Sequence, residues 1–85
     1  MTPFKVDWTE AALDMLADIW TQATDRAAVN AAQNEIDNVL ARYPLNRGQH
    51  LREGLYKFVA APLTAFYSVD QTRKIVEIEQ VWYTP

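Results

Sequence analysis

At 85 residues with 49% hydrophobic and 12% aromatic content, the chain is too apolar to be disordered and too short for two domains. It has no cysteine, which excludes a disulfide framework and a thiolate metal site. Its formal net charge of −3 runs against a protein whose main task is to neutralise phosphates, so nucleic acid is not the expected partner.

No run of residues approaches the roughly 20 apolar positions that span a bilayer, and no basic segment followed by an apolar core opens the chain. The expectation is one soluble, unexported, cytoplasmic domain over residues 1–85.

Phe4, Val6 and Trp8 alternate with Lys5 and Asp7, the period of a short strand with one buried face. This predicts an N-terminal edge strand. Thr9, or Asp7 with Glu10 three residues on, supplies an N-cap, and a helix follows to about Ala23. Leu13, Leu16, Ala17 and Trp20 form its apolar stripe, widened by Ala12, Ile19 and Ala23, while Asp14, Asp18 and Gln22 fall on the solvent side. Thr24-Asp25 closes this helix and caps a second, which runs to about Tyr43 and stops at Pro44. Val29, Ala32, Ile36, Leu40 and Tyr43 line one side of it. So short a link implies an antiparallel helix hairpin.

Residues 44–53 carry turn formers and charges without a period and read as a loop. Gly48 and Gly54, the only glycines, each mark a backbone position of special geometry. Two β-rich runs then flank Pro62, and a third follows the polar break Asp70-Gln-Thr-Arg73. Tyr56 and Phe58 alternate with Leu55, Lys57 and Val59. Leu63, Ala65, Tyr67 and Val69 alternate with Thr64, Phe66 and Ser68. Val76, Ile78 and Trp82 alternate with Glu77 and Glu79. One face is apolar and belongs under the helices; the other is mixed, and Glu77 and Glu79 make it locally acidic. The expected architecture is α+β in the order β-α-α-β-β-β, an antiparallel helix hairpin packed on one face of a mainly antiparallel four-stranded sheet.

This order resembles the RelE/ParE superfamily of toxins from bacterial toxin–antitoxin modules, also known as plasmid stabilisation proteins. The resemblance is carried by Val6 to Leu16, by Ile36 to Pro44, by Gly54-Leu-Tyr-Lys-Phe58 and by Pro62-Leu-Thr-Ala-Phe-Tyr-Ser-Val69, so it spans nearly the whole chain. For members that cleave messenger RNA on the ribosome, it implies a cluster of Lys and Arg on the second and third strands and a basic or aromatic group near the C-terminus. Such cations would stabilise charge developing on a phosphate and assist proton transfer. Lys57 matches one family lysine, but the next basic position falls on Val59, later ones on Ala61 and Thr64, and the C-terminal one on Thr84. The cluster is almost empty.

An atypical catalytic set would have to draw on Lys57, Arg52, Arg73 and Tyr83. Tyr83 reads more simply as a strand-end residue, because a phenol ordinarily titrates near 10. His50 has no Asp or Ser at a triad spacing and reads as a loop residue. The basic stretch from Arg42 to Lys57 reads as solvated surface. Asp14 with Asp18, and Glu77 with Glu79, offer too few ligands for a metal, and neither metal nor cofactor is expected. Trp8, Trp20 and Trp82 suit the core or its edge. Trp20, Phe66 and Trp82 are the candidates for partner contacts, Trp being enriched at interface hot spots.

Three functions follow. The first is a toxin-like protein that acts by binding a protein target such as a topoisomerase, as the resemblance implies for the gyrase-directed branch, and is neutralised by a cognate antitoxin. The second is a non-toxic, degenerate copy of the fold serving as a binding module or homodimeric scaffold. The third is a ribosome-dependent mRNA endonuclease with an atypical site. The sparse cations and acidic charge favour binding over catalysis.

Overall fold

The C-terminal strand lies inside the sheet, with the N-terminal strand beside it, so the two ends of the chain close the fold. In the computed structural model, which describes residues 3–85, the elements are β1 (Lys5–Trp8), α1 (Glu10–Gln22), α2 (Arg26–Arg42), β2 (Gln49–Arg52), β3 (Leu55–Ala60), β4 (Leu63–Asp70) and β5 (Ile75–Tyr83). The sheet order is β1-β5-β4-β3-β2. All neighbours run antiparallel except β1 and β5, which pair in parallel from Lys5 opposite Ile75 to Trp8 opposite Ile78.

The helices begin where their caps dictate. The Thr9 side chain accepts from the Ala12 N–H at 3.1 Å, and the Asp25 carboxylate accepts from the Ala28 N–H at 3.0 Å. Arg26, at the start of α2, donates to the carbonyls of Trp20 and Thr21 at 2.9 and 3.0 Å and so satisfies the end of α1. Its guanidinium also lies 4.5 Å from the Trp20 ring centroid. One residue thus locks the turn of the hairpin.

Both helices cover the same face of the sheet. Ala12 and Leu16 of α1, with Val29, Ala32, Ile36 and Leu40 of α2, pack on Phe58, Ala60, Leu63, Ala65, Tyr67, Val76, Ile78 and Val81. Trp8 fastens this layer to β1, its indole N–H donating to Asp37 of α2 at 2.7 Å. The Phe4 N–H donates to the Ala41 carbonyl, also at 2.7 Å.

The sheet has five strands where four were expected. The added one, Gln49–Arg52, falls in the stretch read as a loop, and all four of its residues are exposed. An edge strand wet on both faces has no apolar alternation to betray it, and a register shift between His50 and Arg52 erases what period remains.

The buried face of α1 is also rotated from the expected stripe. Met15, Ile19 and Ala23 flank Ala12 and Leu16 against the core, whereas Leu13 and Trp20 stay 48% and 41% exposed. The helix is apolar over more than one face, and the choice falls to the strand beneath it. On α2, Tyr43 is likewise exposed at the end of an otherwise correctly placed stripe.

Candidate functional site

The face of the sheet away from the helices is open. Its residues come from alternate positions: Lys57 and Val59 on β3, Thr64, Phe66 and Ser68 on β4, and Glu77, Gln80 and Trp82 on β5. The register sets Lys57, Phe66 and Gln80 in one row and Val59, Thr64 and Trp82 in the next.

Trp82 reaches this face through a β-bulge. Phe66 pairs with Gln80 but Tyr67 pairs with Ile78, leaving Glu79 without an opposite number. Beyond the extra residue the alternation is inverted, so Val81 enters the core and Trp82 turns outward. The expected grouping of Trp82 with Val76 and Ile78 is therefore corrected. On the open face the Trp82 ring meets Phe66 at 5.1 Å between centroids and 57° between planes. The Trp82 N–H donates to the Gln80 side chain at 3.0 Å, while Thr64 and Thr84 bond through their hydroxyls at 2.7 Å. With Val59, 55% exposed, the pair makes an apolar patch on one half of the face.

Beside that patch a recess of about 280 Å³ is lined by Arg47, Gln49, Lys57, Phe58 and Val59. The other half of the face is acidic. A recess of about 350 Å³ there is lined by Asp7, Ser68, Asp70, Arg73, Ile75 and Glu77. Asp7 is paired with Lys5 at 3.7 Å, and the Asp70 carboxylate accepts from the Arg73 backbone N–H at 3.0 Å.

The four catalytic candidates do not converge. Lys57 is in mid-sheet opposite Phe66, whereas Arg52 is at the β2–β3 turn and Arg73 at the β4–β5 turn. Tyr83 ends β5 opposite Leu63, about 25 Å of strand from Ile75 at ~3.3 Å per residue. It lines a recess with Asp18, Ile19, Gln22 and Ala23 of α1, on the helix side of the sheet. Of the partner-binding candidates, Phe66 and Trp82 are brought into contact. Trp20 stands apart on α1, one ring face taken by Arg26.

Arg47 is the residue beside Lys57 that sequence reasoning did not single out. The signal was its place in the basic stretch from Arg42 to Lys57, but only the β2–β3 pairing, with Gln49 opposite Lys57, draws the two side by side. Among the described residues no three His, Cys, Asp or Glu side chains gather as a metal site. No helix among them is long and apolar enough to cross a membrane.

A two-helix layer on one face of a mostly antiparallel sheet is an arrangement that solved structures share. A chain of the RelBE2 toxin–antitoxin complex from Mycobacterium tuberculosis superposes with a TM-score of 0.81 at 23% identity, over 98% of this chain and 93% of that one. The chromosomal ParDE system from P. aeruginosa gives 0.74 at 15% identity with both chains fully covered. The chain has the RelE/ParE toxin fold. The isolated E. coli RelE toxin agrees, with a TM-score of 0.66 at 15% identity over 96% of this chain and 85% of that one. No family model and no curated protein matches the sequence. At these identities the RelE/ParE likeness is one of fold, and the residues of the open face have to speak for function.

Proposed function

We propose that the protein is the toxin-like component of a bacterial type II toxin–antitoxin module, that it works in the cytoplasm by binding a protein target, and that a cognate antitoxin neutralises it. The observation that carries this reading is the make-up of the open face. Half-buried Phe66 packed on exposed Trp82 shares the open face with Lys57, the one cation left of the set that phosphate chemistry would need, and Arg73 and Tyr83 stand away from Lys57. Aromatic side chains that bury large area at small entropy cost are what protein interfaces use. The acidic half of the face repels a nucleic-acid backbone and suits a basic protein surface. The gyrase-directed branch of the resemblance makes a topoisomerase the first target to assay.

The test is expression with and without the adjacent open reading frame. Growth arrest that the neighbour reverses supports the reading. Trp82→Ala and Phe66→Ala should each cost about 2 kcal/mol of target binding, roughly thirtyfold in Kd, and relieve the arrest, while Lys57→Ala leaves it intact. Normal growth at high expression, with a discrete dimer in solution, would instead identify a non-toxic scaffold.

One observation favours a second reading, RNA cleavage: Arg47 and Lys57 share a recess beside the aromatic pair, where a base could stack and its phosphate be held. Ribosome-dependent cleavage of a message, abolished by Lys57→Ala, would establish it; intact message under the same assay sinks it.

A further inference from the structure

Trp20 is the partner-contact candidate that the open face leaves unused. It stands on α1 with Leu13 and Ala17 at i, i+4 and i+7, so the three form one stripe along the helix. All three are exposed, Leu13 by 48% and Trp20 by 41%. The stripe belongs to neither side of α1 already accounted for: Ala12, Leu16 and Ile19 turn to the core, and Asp18, Gln22 and Ala23 line the recess with Tyr83.

This stripe has an acidic end and a basic end. Asp14 flanks Leu13, Glu10 precedes it by a turn, and α1 carries no Lys or Arg. At the other end Arg26 is held over Trp20, its guanidinium 4.5 Å from the ring centroid and donating to the Trp20 and Thr21 carbonyls. Asp14 and Trp20 are separated by about 9 Å of helix at ~1.5 Å per residue, too far for Asp14 to pair with Arg26 in one copy. Among the described residues the one ion pair joins Lys5 to Asp7, so both charges lack a partner there.

Such a stripe is self-complementary about Ala17. Where two antiparallel copies of α1 cross at that residue, positions equally distant from it on either side face each other, and Asp14 and Trp20 are such positions. Asp14 of each copy then meets the guanidinium stacked on Trp20 of the other, and Leu13 packs on the free face of that indole. Ala17, with no side chain beyond Cβ, lets the helices approach closely. Parallel copies would set Asp14 against Asp14, so charge selects the antiparallel arrangement.

We propose that the Leu13, Ala17 and Trp20 stripe docks on its own counterpart in a second copy of the chain, an isologous dimer through α1 with an Asp14–Arg26 pair at each end. Lys57, Phe66 and Trp82 lie on the sheet face away from the helices and stay uncovered in both copies. The dimer goes beyond the toxin reading and does not depend on it.

The chain has no cysteine, so one introduced thiol reports on the interface alone. Ala17→Cys puts that thiol on the twofold axis, and mild oxidation of the full-length protein is expected to give a covalent dimer. Gln71→Cys, exposed in the β4–β5 turn, gives none. In sedimentation equilibrium Trp20→Ala raises the Kd of the dimer about thirtyfold and Asp14→Lys about tenfold, the second effect shrinking as salt is raised. Circular dichroism of both variants, unchanged from the parent, separates lost docking from lost fold. A monomer at every concentration, oxidation that links both cysteine variants equally, or a dimer indifferent to Trp20→Ala and Asp14→Lys would each overturn the proposal. A monomer that still arrests growth overturns the dimer and leaves the functional reading standing. A Trp20-dependent dimer without growth arrest removes the toxin reading and keeps the interface.

Discussion

At the scale of single residues, Tyr67 and Gly48 decide the most. Tyr67 is fully buried and its hydroxyl donates to the Pro44 carbonyl at 2.6 Å, tying the sheet to the end of α2. Gly48 is glycine because of this bond. A Cβ there would run into the Tyr67 hydroxyl and lie 2.8 Å from its ring carbon. Gly48→Ala is therefore expected to cost about 1–3 kcal/mol in urea unfolding, as overpacked sites do. Tyr67→Phe removes the obstructing oxygen, so the double variant should recover part of that loss, a coupling that a thermodynamic cycle would read. Alone, Tyr67→Phe should cost about 1 kcal/mol for the missing hydrogen bond.

Burial, with the nearby Tyr56 phenol adding to it, pushes the Tyr67 hydroxyl from 10.0 up to about 12. The unfolded chain then releases this proton at a lower pH than the folded one. The stabilisation is complete below pH 10 and is lost as the pH rises toward 12. Unfolding followed across that window should show the decline in the parent and a shallower one in Tyr67→Phe. Gly54 is glycine for another reason: its φ of +77° lies in the left-handed region, with open space around it. The two glycines were legible as special positions. Which was steric and which conformational was not, since Tyr67 is distant from Gly48 in sequence.

At the scale of elements, the helices were the legible part and the strands the less legible. Thr9, Asp25 and Pro44 bound α1 and α2 because capping is a local matter of a few hydrogen bonds. Thr9→Ala should cost about 1 kcal/mol in thermal or urea unfolding. β2 escaped notice because it is exposed along its whole length. The orientation of Trp82 escaped for a different reason. One unpaired residue, Glu79, reverses every side chain after it, and only the partner strand reveals the bulge. Deleting Glu79 should consequently leave Val81 inward and Trp82 outward, because a regular strand running Ile78, Gln80, Val81, Trp82 has that same alternation. Retained contacts between the Trp82 and Phe66 rings in NMR spectra would check it.

At the scale of the whole molecule, the fold is closed by its termini. β1 shields the first half of β5, the Lys5 N–H donates to the Lys74 carbonyl at 2.8 Å, and Trp8 links the sheet to α2. A chain lacking residues 1–8 should lose cooperative unfolding and aggregate through the uncovered strand, as circular dichroism and light scattering would show. The same short reach of β1 ends its cover of β5 at Ile78. The sequence by itself determined the α+β class, the helix bounds, the apolar faces of β3 and β4 and the scarcity of cations at the positions the toxin resemblance made important. These depend on local propensity, period and residue type. The tertiary structure alone decided that Phe66 meets Trp82, that Arg47 joins Lys57 in one recess, that Arg73 and Tyr83 stand toward opposite ends of β5, and that, among the described residues, β5 from Gln80 to Tyr83 has a strand on one side only. Each of these depends on pairing register between residues far apart in the chain, which no local pattern carries.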